Sequence, residues 1–268
     1  MFVDTHCHLN MLVKKEFDVL LTPDQIEAID AIIQEAYNAG VKKIINVGTS
    51  LLESINSVEI AKHYVTVFAT VGIHPCDATE SWYNDFKEIE KLAQHKEKNK
   101  IVGIGEVGLD FYHKPFFRQR QEDVFKAHIE LAIEHKLPLS IHVRDAGDEL
   151  LEVIEPYAKN ITGAVIHCFS QNQAFANTVI QWGFYIGIDA PITYPKNEQL
   201  RDIVRNISLN NIIFETDSPF LPPQEYRGKQ NRPAYIPLFA QTVADLKKET
   251  LAVVQEVTTA NVKKLFGI

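Results

Sequence analysis

Four histidines and two carboxylates in this chain share one position: each closes a short apolar run. They are His6 and His8 in Val3-Asp4-Thr5-His6-Cys7-His8, Glu106 in Ile104-Gly105-Glu106, His142 in Ser140-Ile141-His142, His167 in Val165-Ile166-His167, and Asp217 in Glu215-Thr216-Asp217. A β-strand buries apolar side chains and has no need of an imidazole or a carboxylate at its end. Five strands finishing this way point to one place of convergence. Imidazole nitrogens and carboxylate oxygens together suit one or two divalent ions per chain, with Mg, Mn or Zn as candidates. Such an ion activates water, so the expected chemistry is hydrolysis.

Spacing refines the expectation. His6 and His8 stand two apart, on one face of a strand, where both imidazoles reach one ion while Cys7 packs behind. Asp4, two residues earlier, is expected to orient an imidazole rather than to ligate. Glu106 is costly to bury unless paired or metal-bound, and its two oxygens allow a bridge between ions; a salt bridge to Lys or Arg is the plainer reading. A lone strand-end histidine such as His142 or His167 is usually structural, and only the recurrence argues otherwise. Asp217 can ligate and also take a proton from activated water, against the alternative of an Asx turn before Ser218-Pro219. Glu215 is read as a partner for a buried basic group in preference to a substrate contact. His74, in Gly72-Ile73-His74-Pro75, is expected to touch substrate instead of metal. Arg144 follows His142 by two, so its planar fork can meet a phosphate or carboxylate at the same mouth, with an ion pair to Asp145 or Asp148 as the alternative. His63, His95, His113, His128 and His135 fall in helices or loops and are read as structural.

The elements that must hold these residues are legible as period-2 and period-3.6 stretches. Strands are expected over Phe2–His8, Lys43–Val47, Thr66–His74, Ile101–Glu106, Leu139–His142, Ala164–His167, Phe184–Ile188 and Ile212–Thr216. Helical patterns such as Pro23–Ala39, Leu51–His63, Trp82–Gln94 and Phe117–His135 lie between them, and Ile236–Leu246 and Thr250–Phe266 close the chain. Eight strands alternating with helices give an α/β fold, a TIM-like (β/α)8 barrel over 1–268 as one domain, with its site at the C-terminal strand ends. A doubly wound open sheet is the main alternative, and no G-x-G-x-x-G follows the first strand to support its dinucleotide-binding form. The 268 residues are 46% hydrophobic and 23% charged, ordinary for a protein with a large core. Three cysteines give no disulfide framework and suggest a reducing compartment, read as cytoplasmic. The N-terminus reads as a first strand and not as a signal peptide, and no apolar run suggests a membrane span. A net charge of −8 argues against extensive nonspecific grip on duplex nucleic acid. No interface signature stands out, and a monomer is expected.

Taken together, Asp4-Thr5-His6-Cys7-His8, Gly72-Ile73-His74-Pro75, the run Gly105 to Tyr112, Pro138 to Arg144, His167-Cys168-Phe169-Ser170 and Glu215 to Leu221 followed by Arg227 to Asn231 resemble the TatD family of metal-dependent hydrolases, nearly end to end. The resemblance implies a TIM-like barrel and a metal-dependent DNase, often a 3′-to-5′ exonuclease on single strands. It implies that His6, His8 and Asp217 hold one ion, that His142 and His167 hold a second, and that Glu106 bridges. One stretch departs from the family. Where relatives often carry Ser-Gly and then a Thr-Phe-Lys-like turn after strand seven, this chain reads Asp189-Ala190-Pro191-Ile192-Thr193-Tyr194-Pro195-Lys196. That loop borders the site, as does the long segment between Asn10 and Ala39.

The leading expectation is hydrolysis of DNA phosphodiesters at single-stranded ends. Asp217 would receive the proton, His74 and Arg144 would contact phosphate, and Tyr112 or Phe111 would stack on a terminal base or else pack the barrel edge. Activated water serves carbonyl centres equally, so the alternative is a deacylase of D-aminoacyl-tRNA or of a small acylated metabolite. A metal-stabilised binding protein without turnover is a third reading, and no missing ligand favours it.

Overall fold

The computed structural model describes residues 1–268. Eight parallel strands follow one another around a single sheet in chain order: β1 (Phe2–Cys7), β2 (Val41–Val47), β3 (Val67–Val71), β4 (Ile101–Asp110), β5 (Leu139–Arg144), β6 (Ala164–Ile166), β7 (Tyr185–Ile188) and β8 (Ile212–Phe214). The helices lie between them: α1 (Leu9–Val13) and α2 (Pro23–Asn38), α3 (Leu51–His63), α4 (Trp82–Gln94) and α5 (Lys96–Asn99), α6 (Arg118–His135), α7 (Gly147–Ile154), α8 (Gln173–Gln181), α9 (Glu198–Asn206), and the closing α10 (Ile236–Lys247) and α11 (Leu251–Phe266). Consecutive strand order with helical crossovers is the TIM-like barrel and excludes the doubly wound sheet, whose order reverses at a switch point. No helix is long and apolar enough to cross a membrane.

The seam between β1 and β8 closes mainly through residues beyond the end of β8. Asp217 N–H donates to His6 O at 2.8 Å, His8 N–H to Ser218 O at 2.8 Å, and Cys7 and Ser218 form a parallel bridge. Asp4 is part of this seam. Its Oδ2 accepts from Thr216 Oγ1 at 2.6 Å, and its Oδ1 accepts from the Thr216 N–H at 3.0 Å. The expectation that Asp4 orients an imidazole is therefore corrected: it touches only the backbone N–H of His6, at 3.3 Å. Fully buried, it satisfies the chain that turns out of β8 toward the site.

Two strands depart most from the lengths read in the sequence, β4 and β3. β4 does not stop at Glu106; it runs on to Asp110, pairing Gly108 with His142 and Asp110 with Arg144 of β5. The physical reason lies in its glycines. Gly108 has φ +147°, and a Cβ there would lie 1.9 Å from His142 O, so only glycine lets β4 stay this close to β5. The β3 pattern ends earlier than expected, at Val71, which leaves His74 to head the short 3-10 turn Pro75–Asp77. Both β1 and β4 carry a register irregularity beside their site residues, between Asp4 and Cys7 and between Ile104 and Val107. Such bulges change which face a strand presents, and here they accompany the change from core packing to the site.

The core has two parts. Outside the barrel, a cluster of 60 buried residues joins strands to helices. Inside it, Val3, Ile45, Val165, Tyr185 and Ile213 pack with Val262, Leu265 and Phe266 of α11. His128 sits in the outer core on α6, as a structural residue: its Nδ1 lies 2.8 Å from Val124 O and its ring packs edge-on against Phe86.

Burial holds His128 down at about 4, against an ordinary value of 6.5. The unfolded chain therefore binds the extra proton first, and stability is lost as pH falls from 6.5 toward 4. Urea denaturation across that range should show about 3 kcal/mol lost on account of this side chain. A His128→Leu variant should lack that share of the slope; an unchanged slope would assign the acid sensitivity elsewhere.

Candidate active site

The C-terminal mouth of the barrel gathers all six residues singled out by position. Glu106 stands in the middle. Its Oε2 lies 3.2 Å from His6 Nε2 and 3.8 Å from His8 Nε2. Its Oε1 lies 2.9 Å from His142 Nδ1 and 3.8 Å from His167 Nε2. Asp217 Oδ1 completes the ring at 3.3 Å from His8 Nε2, 3.8 Å from His167 Nε2 and 3.9 Å from His6 Nε2. The His6 and His167 rings stack with centroids 3.5 Å apart.

The nitrogens that face away from the centre decide what the facing ones can do. His8 Nδ1 donates to Val47 O at 3.2 Å, and His167 Nδ1 donates to Glu215 Oε1 at 3.0 Å. His142 is reversed: its Nε2 donates to Asp110 Oδ2 at 3.1 Å, which turns Nδ1 inward. His6 Nδ1 meets Ser140 Oγ at 3.2 Å, while its Nε2 is buried with no hydrogen-bond partner. A neutral imidazole that donates from one nitrogen keeps a lone pair on the other, so these rings offer lone pairs to the centre. His74 does the opposite. Its Nδ1 accepts from the Cys76 N–H at 3.2 Å, so the neutral ring carries its proton on Nε2, 3.6 Å from Glu106 Oε1. It presents a donor, which suits a substrate oxygen and not a metal.

The electrostatics express one demand, for positive charge at the centre. Burial opposes the ionised Glu106, yet His74, His6 and His142 hold its carboxyl well below the usual carboxylate range. Asp217 is likewise depressed against its burial, by His8 and His167. The imidazoles answer in kind: burial lowers them, but Glu215 lifts His167 to about 10, and Asp110 with Glu106 raises His142. Protons on these rings stand in for the charge of a cation. Together with the orphaned His6 Nε2, this donor set fits a divalent ion bound by nitrogen and carboxylate oxygen.

Asp110 and His113 were not assigned to the site from sequence. Asp110 holds His142, and in turn is held by the N–H groups of Tyr112 and His113 at 2.9 Å each. Glu215 is the partner of a buried basic group, His167, and Gly187 makes room for it: a Cβ there would lie within 2.7 Å of its carboxylate. His113, read as structural, stands at the mouth with Nδ1 2.8 Å from Asp110 Oδ2. The signal that could have found Asp110 is its place four residues beyond Glu106 in a strand whose glycines let it continue.

Around the rim, Arg144 makes no ion pair with Asp145 or Asp148. Its guanidinium stacks on the exposed Tyr112 ring, 4.0 Å from the centroid. Phe111 instead stacks on Phe116 at 4.9 Å and is partly buried, which withdraws it from base stacking. The segment after β1 does form a wall: Lys14 to Phe17 face Pro219 and Phe220 across a small cavity, anchored by Glu53, which accepts from Lys14 Nζ and Asn10 Nδ2. The loop after β7 packs on the loop after β8 through Tyr194 OH, which donates to Pro222 O at 2.8 Å. At its start Asp189 is buried with neither carboxylate oxygen hydrogen-bonded, and burial pushes it up to about 8.

Comparisons agree with this geometry. The metal-dependent hydrolase YabD of Bacillus subtilis (strain 168), itself uncharacterized, is 32% identical over 268 residues, covering 100% of both chains. The 3′-5′ ssDNA/RNA exonuclease TatD of Citrobacter rodentium is 35% identical over 260 residues, covering 94% of this chain and 97% of its own. The crystal structure of the TatD homologue YjjV from Escherichia coli K12 superposes with a TM-score of 0.90 at 27% identity, over 100% of this chain and 98% of that one. The profile of the TatD related DNases matches residues 3–267, and with these relatives it shows that the chain belongs to the TatD family.

Proposed function

We propose that this TatD-family, metal-dependent hydrolase is a deoxyribonuclease that shortens single-stranded DNA from its 3′ end. The observation that carries the reading is the convergence of inward lone pairs from His6, His8, His142 and His167 on the carboxylates of Glu106 and Asp217, flanked by the donor Nε2–H of His74. The name of the Citrobacter relative supports a nucleic acid as substrate. His6, His8 and Asp217 would hold one ion, His142 and His167 a second, and Glu106 would lie between. A divalent ion bound there supplies an acidified water and offsets the negative charge that builds on the phosphate.

The chain's own residues account for the remaining roles. Asp217 is depressed and hence ionised at neutral pH, so it can take the proton that the attacking water loses. The Nε2–H of His74 donates to a non-bridging phosphate oxygen, where negative charge grows in the transition state. Burial keeps this ring down at about 3, so it acts as a neutral donor throughout the working pH range. Arg144, spread over Tyr112, offers guanidinium N–H groups to the next phosphate, while the free face of Tyr112 stacks a base without regard to sequence.

Metal-free protein resupplied with Mg, Mn or Zn should convert an end-labelled single-stranded oligonucleotide into a ladder, and Glu106→Ala should produce none. Release of an acyl group from an ester or amide, with the oligonucleotide untouched under every metal, would move the assignment to a deacylase. Asp217→Asn should lower kcat by ~10²-fold or more while still binding metal; near wild-type turnover would remove Asp217 from proton transfer. Arg144→Ala should raise KM about tenfold and change kcat little, because it touches substrate away from the reacting atoms. A fall in kcat at constant KM would place Arg144 in the transition state instead.

A further inference from the structure

The ends of β3 and β4 meet a second time, beside the centre. Cys76 in the Pro75–Asp77 turn, Asp110 at the end of β4 and His113 in the following loop bring a thiol, a carboxylate and an imidazole within 4.8 Å of one another. None of the three belongs to the six converging residues. Asp110 is buried, while Cys76 and His113 are exposed. The carboxylate is already fixed: its Oδ1 accepts from the Tyr112 and His113 N–H groups at 2.9 Å each, and its Oδ2 lies 2.8 Å from His113 Nδ1. A cavity of about 400 Å³, with Cys76, His113, Phe117 and Gln121 in its wall, opens on the cluster and gives solvent a path to it.

The geometry points to a further cation site here, for a divalent ion of Zn²⁺ type, with Cys76 Sγ, Asp110 Oδ2 and His113 Nδ1 as ligands and solvent from the cavity in the remaining position. The reasoning is chemical. Sulfur, nitrogen and oxygen donors in one set suit a borderline-soft, four-coordinate ion, whereas Mg²⁺ and Ca²⁺ prefer oxygen throughout. Ligation forms the Cys76 sulfur–metal bond as the thiol proton leaves to solvent. Partial desolvation of the sulfur, with Asp110 and Asp77 adjacent, raises the Cys76 thiol to about 12, so an ion must displace a firmly held proton. The same negative field attracts a cation, whose charge relieves it. His113 Nδ1 would give up its 2.8 Å contact with Asp110 Oδ2 to share the ion. Because Asp110 Oδ2 also accepts from His142 Nε2 at 3.1 Å, an ion bound here would touch the catalytic centre through one carboxylate.

Cobalt substitution tests this without reference to turnover. The full-length protein is loaded with Co²⁺ and its near-ultraviolet absorption and metal stoichiometry are read. The centre built from imidazoles and carboxylates has no sulfur, so a thiolate-to-cobalt charge-transfer band reports the further site alone. The band should appear in wild type. It should disappear from Cys76→Ser together with one equivalent of Co²⁺, and it should persist in Cys7→Ser and Cys168→Ser. His113→Ala, which keeps the thiol, should weaken Co²⁺ uptake at this site about tenfold or more. Circular dichroism of Cys76→Ser separates loss of a ligand from loss of fold, and His113→Ala carries the test if that variant fails to fold. A wild-type protein without the band, or a band that follows Cys168 instead of Cys76, overturns the proposal.

Discussion

A glutamate carboxylate buried at the mouth of a barrel is the constraint on which the rest of this structure turns. Left alone, Glu106 would cost several kcal/mol to ionise out of water. Here it is ionised, because His6, His74 and His142 stand around it, and each of those rings must be held with the correct nitrogen inward. The holding groups come from elsewhere in the chain: Ser140 for His6, the Cys76 N–H for His74, Asp110 for His142. A single buried charge thus dictates polar side chains and backbone groups at the ends of several strands. The close approach of β4 to β5 that Gly108 permits is part of the same requirement, because without it Asp110 could not reach His142.

The barrel tolerates this polar mouth because its apolar packing lies elsewhere. The outer cluster and the plug formed by α11 bury the strands on both faces below the site. Polar groups appear where the strands run out, and there most of them are paired, His6 Nε2 being an exception that faces the centre. Even the closing seam follows the rule, since Asp4 gathers three hydrogen bonds from Thr216 and His6 in a fully buried place. Asp189 stands apart, a buried carboxyl with neither oxygen hydrogen-bonded, raised so far by burial that the neutral form dominates at pH 7. It lies at the start of the loop after β7, so the wall beside His167 carries a protonatable group.

How far the sequence could be read follows from which features are local. A polar residue closing an apolar run is a local pattern, and it sufficed to select His6, His8, Glu106, His142, His167 and Asp217 and to arrange them on a barrel. The role of Asp4 was missed because it depends on the seam, a pairing across 212 residues that periodicity does not reveal. The extension of β4 past Glu106 was missed because glycine weakens a strand pattern, and only the neighbouring strand shows why glycine is there. Asp110 and His113 were hidden for the same reason: their meaning lies in the register of β4 on β5. The aromatic partner of Arg144 was missed because Tyr112 follows β4 while Arg144 closes β5, a contact no spacing rule contains.

The overall charge of −8 bears on what kind of nucleic acid this surface can hold. Binding a duplex along its length means neutralising many phosphates, which needs a basic face and brings steep salt dependence. An enzyme that takes only a terminus needs to neutralise very few. On the proposed reading, bound ions, His74 and Arg144 would carry that small task, and stacking on Tyr112 would add affinity that does not depend on charge. A negative protein acting on a negative polymer is consistent when recognition is confined to one buried, strongly cation-seeking point.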